Sequence, residues 1–215
     1  MAIIKNGANG TLSGKAGSVV FVTNGNTTYA RGLPQKSKKK PTAEQIESRT
    51  RFTLVQKFLS HMLGLIQVGF KNYKPDKKAY GNAMSYNLNN AVEKTETGYS
   101  INYENFRVSK GTPNPITSYT FQVDQENGIF NISWEYDADM ASLNNINSSN
   151  CRLFLYNPGV CAFTNESMNP LIHKKQHVNL YRQQTVGDYH VYIFFYRPDG
   201  SSECTDSKYL GTFEW

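Results

Sequence analysis

Between residues 18 and 32 the apolar positions fall into two short β-branched runs, SVVFVT (18–23) and TTYARG (27–32), separated by NGN at 24–26. Asn-Gly chemistry supplies the positive φ of a tight turn, so this pattern predicts a β-hairpin. The period changes at residue 42. Ile46, Phe52, Val55, Phe58, Leu59, Met62, Leu63 and Ile66 recur at steps of three and four, which predicts one long amphipathic helix over about 42–69. Thr42 followed by Gln45 has the spacing of a capping box, and Glu44 and Glu47 suit the positive end of a helix dipole. A shorter helix is predicted over about 76–92. Ala79, Tyr80, Ala83, Met84, Asn87 and Ala91 form its packing face, and KNYKP joins the two helices into a hairpin.

After Thr95 the apolar residues alternate. YSINY (99–103), NFRVSKG (105–111), SYTFQVDQ, GIFNISWEYD, CRLFLYNPG, CAFTN, HVNLYRQ, GDYHVYIFFYRPDG and SSECTDSKYLGTFEW read as strands, with Glu126-Asn127-Gly128 and Pro198-Asp199-Gly200 as hairpin turns. The last seven of these short strands, with Trp134 in the second of the seven, predict a β-sandwich of immunoglobulin or fibronectin type III character. The fold class expected is therefore α+β: a β-hairpin and helical hairpin over residues 1–95, then a sandwich over 100–215.

Composition sharpens this picture. The 14 tyrosines and 12 phenylalanines favour β-rich structure over a helical bundle. Charge is divided unevenly. Residues 1–80 carry 14 lysines and arginines against Glu44, Glu47 and Asp76, whereas the remainder of the chain is net acidic. Such polarity points to an acidic partner for the N-terminal part, or to attraction between the two ends in an assembly. No run of 18 apolar residues exists to span a membrane, and MAIIKNGANG has no apolar core of a secretory signal. The expected location is the cytoplasm at synthesis, with a virion or particle as the destination. Cys151, Cys161 and Cys204 are odd in number and lack CxxC spacing, which predicts buried reduced thiols, with one disulfide and a spare thiol as the alternative.

Candidate chemistry is sparse. His173 and His177 are four residues apart, but no glutamate accompanies them as a zinc protease would need. The glycines at 7, 10, 14 and 17 precede no GK[ST], so a phosphate loop is not expected. Asp124, Glu126, Asp137 and Asp139 fall in predicted loops, and DADM matches no calcium loop. No catalytic residue, cofactor site or metal site is therefore assigned, and the chain is read as a non-enzyme. The functional signal lies in the basic half: Lys36, Lys38, Lys39 and Lys40 between Pro34 and Pro41, followed by Arg49, Arg51 and Lys57. These residues suit nucleic-acid phosphates or an acidic protein surface. Tyr29 beside Arg31 adds a stacking group next to charge. Phe58, Met62, Leu65, Ile66 and Phe70 form an apolar face for packing within or between chains.

The order MAIIKNG, GTLSGKAGSVV, RGLPQK, PTAEQIESRTRFTLVQKFL, GF and AYGNAMSYNL, with a β-rich tail ending in SKYLGTF, resembles a domain-of-unknown-function family of Bacteroidota proteins over essentially the whole length. The specific motifs are Gly14–Gly17, Arg31, Pro34, Thr42, Gln45, Arg49, Phe52, Gly69–Phe70 and Ala79 to Asn87. Residues Gly14 to Phe52 also show a looser similarity to phage-like structural proteins. The resemblance implies no activity and no catalytic residue. It implies a structural or assembly role, in keeping with an oligomeric protein-binding component. The alternatives are a non-specific nucleic-acid binder acting through the basic half, and a ligand-binding sandwich acting through Tyr156, Tyr181 or Tyr196.

Overall fold

The computed structural model describes residues 2–4, 10–24, 27–35, 39–74, 76–158, 161–165, 167–180 and 187–215. The chain forms two compact units, Met1–Thr42 and Ala43–Trp215. The first is a four-stranded antiparallel meander in the order β1 (Ala2–Ile4), β2 (Leu12–Ala16), β3 (Val19–Asn24) and β4 (Thr27–Gly32). The predicted hairpin is its β3–β4 half, with Asn24 paired to Thr27.

The second unit opens with helix α1 (Ala43–Ser60), which begins one residue after Thr42. The single helix expected over 42–69 is broken. Ser60 Oγ donates to the Lys57 carbonyl, and His61 and Met62 donate back three residues rather than four. The hydroxyl competes for the last turn's carbonyls and tightens the end of the helix. Helix α2 (Leu63–Gly69) then restarts and leads to α3 (Ala79–Asn90). On α3 the expected packing face holds: Ala83, Met84, Asn87 and Ala91 are buried.

A short hairpin follows, β5 (Val92–Thr95) with β6 (Gly98–Ile101). Residues 105–111, expected as a strand, are irregular instead. They run beside 204–207 through side-chain bonds. Val108 N–H donates to Ser207 Oγ, Ser109 Oγ donates to the Thr205 carbonyl, and Gly111 N–H donates to Asp206 Oδ1.

Seven strands complete the unit. One antiparallel sheet has the order β11 (Lys175–Asn179), β8 (Ile129–Tyr136), β7 (Ile116–Asp124). The other has the order β10 (Cys161–Thr164), β9 (Asn150–Asn157), β12 (Asp188–Tyr196), β13 (Lys208–Glu214). A short helix, α4 (Ala138–Leu143), was not legible as one; Asp137 caps it by accepting from Met140 N–H at 2.9 Å. Between the two sheets lies one core, which includes Phe130, Ile132, Trp134, Leu153, Leu155, Val191, Ile193 and Phe195. Trp134 meets Phe195 edge-on at 5.5 Å and donates its indole N–H to the Leu171 carbonyl.

The reverse face of the β10–β9–β12–β13 sheet is covered too. Phe154, Tyr156, Tyr192 and Phe194 alternate with the first core's residues and belong to a second core, together with Val55, Phe58, Leu59, Met62, Ile66 and Phe70 of the helical segment. β9 and β12 are therefore buried on both faces, which is why LFLY (153–156) and VYIFF (191–195) are continuous apolar runs rather than alternating ones. Within the second unit, which begins at Ala43, the helices have the β10–β9–β12–β13 sheet as their partner surface.

Candidate functional site

Side chains directly opposite in neighbouring strands share a face, so the registers of the N-terminal sheet sort its surfaces. Val20 pairs with both Lys15 and Arg31, and Val22 pairs with Tyr29. One face thus carries Lys15, Val20, Val22, Tyr29 and Arg31. Phe21, paired with Gly14 and Ala30, lies on the other among small neighbours. None of the described residues of this unit whose burial is given is buried, although β3 reads VVFVT. β4 forms the outer edge of the sheet, and all six of its residues are exposed.

The predicted basic residues are placed unevenly. Lys36 and Lys38 lie outside the described residues, while Lys39 and Lys40 are exposed. Arg49 and Lys57 are exposed on α1. Arg51 is not a surface cation. It is half-buried, donates from Nη2 to the Leu88 carbonyl at 3.0 Å, and lies 5.8 Å from the Tyr99 ring centre. Tyr99 in turn donates its hydroxyl to Glu47. These contacts tie α1 to the end of α3 and to β6. The front of α1 also leaves apolar groups in solvent: Ile46 is 52 % and Phe52 46 % exposed.

Phe58, Met62, Ile66 and Phe70 are all buried inside their own chain, and Leu65 is half-buried. Phe58 sits 4.4 Å from the rings of both Phe106 and Tyr156. Packing within the chain consumes this face, so a surface between chains must be built from other residues. Of the aromatics considered for ligand binding, Tyr156 is buried and Tyr181 lies outside the described residues. Tyr196 is half-buried against Met168 Sδ at 3.3 Å.

Two of the three cysteines lie in the interior. Cys151 and Cys204 are free and buried. Burial pushes the Cys151 thiol far up, and burial with Asp206 nearby pushes Cys204 up to about 12. A cysteine nucleophile needs the opposite shift. Cys161 stands on β10. Among the described residues, no group of three or more His, Cys, Asp or Glu side chains is placed to hold a metal.

One cluster escaped the sequence reading because its members are far apart in the chain. The His190 ring stacks on Tyr103 at 3.5 Å and meets the Tyr209 hydroxyl through Nδ1 at 2.9 Å. Burial lowers the His190 pKa below its ordinary value, against a smaller raising effect of Asp188. Below about pH 6.5 the unfolded chain takes up this proton while the native chain does not, so His190 makes stability fall as the pH drops through that range. Urea midpoints measured between pH 7 and pH 5 are expected to decline less steeply in His190→Gln than in the wild type. An unchanged slope would refute the assignment.

The family's sequence model matches residues 10–211, which takes in the N-terminal sheet from its second strand, all the helices and nearly all of the second unit. The chain belongs to the family of unknown function DUF6266. No curated protein matches the chain. Within the DUF6266 match, the Gly69–Phe70 motif has a steric explanation. A Cβ on Gly69 would lie 2.4 Å from the Val108 carbonyl oxygen and 2.6 Å from Ser109 Cβ, and Phe70 is fully buried. The Ala79 to Asn87 motif contains the buried residues of α3, Asn82, Ala83, Met84 and Asn87.

Proposed function

We propose that this protein is a non-enzymatic assembly component that works as an oligomer, and that its N-terminal sheet is completed by a second copy. The observation that carries the reading is β4. It is a regular six-residue edge strand, exposed along its whole length, with Arg31 as its one charge and no proline or bulge. Soluble proteins normally blunt such edges, because the free N–H and C=O groups template pairing with another chain. The absence of a described buried residue in this unit points the same way, since a sheet that buries little of its apolar surface is marginal alone. Charge favours a copy of the same chain as the neighbour, the basic N-terminal part of one meeting the acidic remainder of another. A contact between unlike surfaces repeats from copy to copy, as in rings and filaments. The likeness of Gly14–Phe52 to phage-like structural proteins fits a particle component.

In this reading the second unit is a sandwich of fibronectin type III character with a helical layer on one face. Its support is the strand order: the first, second and fifth strands make one sheet, and the other four make its partner.

The test is light scattering coupled to size exclusion at low and high salt, on the wild type and on Thr28→Glu/Ala30→Glu. Both changes place negative charge on β4, against the acidic remainder of the neighbouring copy. A defined oligomer that the double variant converts to a monomer is expected. A wild-type monomer, or an oligomer indifferent to the two glutamates, would overturn the proposal. One rival has its own observation, the shared face of Tyr29, Arg31 and Lys15. It predicts a salt-labile complex with a raised nucleic-acid absorbance ratio.

A further inference from the structure

We infer that the second unit holds a binding site for a small amphipathic carboxylate, beneath the break between α1 and α2. Residues at the break and on α2 face β9, β10 and β12 across a cavity of about 350 Å³. That volume lies near the lower end of ligand pockets, about 300–1,000 Å³. Its floor is Phe154 and Phe194, and its roof is Met62, Leu65 and Val68 with Gly64 between them. The lining is therefore apolar on two sides.

Into this lining the sheet projects one cation. Arg152 is paired across the strands with Phe194, and Phe154 is paired with Thr164. Arg152 thus stands on the face of β9 that also carries Phe154 and Tyr156, where every neighbour but this one suits a helix-covered surface. Its guanidinium lies 5.4 Å from the Tyr196 ring centre, and its bond to a described residue is a long one, from Nη1 to the Asn165 carbonyl at 3.5 Å. A guanidinium has five N–H donors in a planar fork. Among the described residues no carboxylate is ion-paired with it. Thr164 and His61 line the same cavity and add hydrogen-bonding groups beside the fork.

The chemistry selects the ligand class. A single planar fork matches a monoanionic carboxylate, which it can hold by two parallel N–H···O bonds. The apolar floor and roof take a short aliphatic or aromatic tail, and the tail's burial supplies the greater part of the affinity. A doubly charged phosphate would enter this lining with only one cation to meet it.

Octanoate is the probe, with octanol as its uncharged counterpart, titrated calorimetrically into the full chain. Saturable octanoate binding is expected, at least tenfold tighter than octanol. Arg152→Gln is expected to abolish the preference for octanoate, and Arg152→Lys to reduce it by keeping the charge without the fork. Gly64→Phe fills the cavity from the roof. A Cβ at Gly64 meets nothing within 4 Å and the change raises the helix propensity of α2, so this variant is expected to fold with a urea midpoint at or above that of the wild type while losing both ligands. Absence of octanoate binding, equal binding of octanol, or octanoate binding unchanged in a folded Gly64→Phe variant would each overturn the inference. The outcome is independent of whether the chain assembles.

Discussion

Gly111→Ala is expected to destabilise the protein by about 3 kcal/mol, at the upper end of overpacking penalties. A Cβ there would lie 1.8 Å from the Cys204 carbonyl oxygen. The obstructing atom is backbone, so no side-chain rotation can relieve it. That carbonyl also accepts from Thr112 N–H at 3.0 Å, and Asp206 N–H donates to the Thr112 carbonyl at 2.7 Å. Any shift that makes room for the methyl therefore lengthens bonds that hold 109–112 against 204–207. Gly81→Ala is the internal control. It lies within α3, and a Cβ there meets nothing within 4 Å, so helix propensity alone predicts a gain of up to about 1 kcal/mol. Urea denaturation followed by circular dichroism separates the two. A Gly111→Ala midpoint equal to that of the wild type would mean that the close approach of the two segments is not part of the folded state.

Asn87→Ala is expected to cost about 3 kcal/mol by a different route. Asn87 is fully buried, and its amide holds three bonds: Nδ2 donates to the Ala83 and Arg107 carbonyls at 3.0 Å each, and Oδ1 accepts from Arg107 N–H at 2.9 Å. Truncation leaves both backbone groups of Arg107 without a partner beside the buried Phe106 and Val108, and orphaned polar groups are dearer than the bonds lost. Asn89→Ala, on the exposed side of the same helix, removes only a bond within the helix and is expected to change stability by less than about 0.5 kcal/mol. Faster amide hydrogen exchange at Arg107 in Asn87→Ala, with Asn89→Ala unaltered, is the accompanying signature. Equal midpoints for the two variants would show that Asn87 is not the link between α3 and the 105–111 segment.

Local pattern was enough to place the β3–β4 hairpin, the start of α1, the packing face of α3 and the strands from β7 to β13, because each is marked by period, caps or turn chemistry within its own few residues. Ser60, by contrast, ended α1 early, although the apolar spacing through Met62 and Ile66 continued unbroken. NFRVSKG has strand-like alternation but lacks a ladder, since its partner, 204–207, lies about a hundred residues away and meets it through Ser207 and Asp206 side chains. Of the basic residues that suggested a surface, Arg51 turned inward to Leu88 and Tyr99, a choice made by contacts no neighbouring residue announces.

The sequence by itself determined an α+β protein with a basic N-terminal part and a chain of antiparallel strands, because period and charge are local properties. Only the tertiary structure decided that the β10–β9–β12–β13 sheet is covered on both faces, that Phe58, Met62, Ile66 and Phe70 are spent inside the chain, and that Arg152 is left over an apolar cavity. Those outcomes depend on which surfaces meet, and hydrophobic burial, being non-directional, does not name its partner in the sequence.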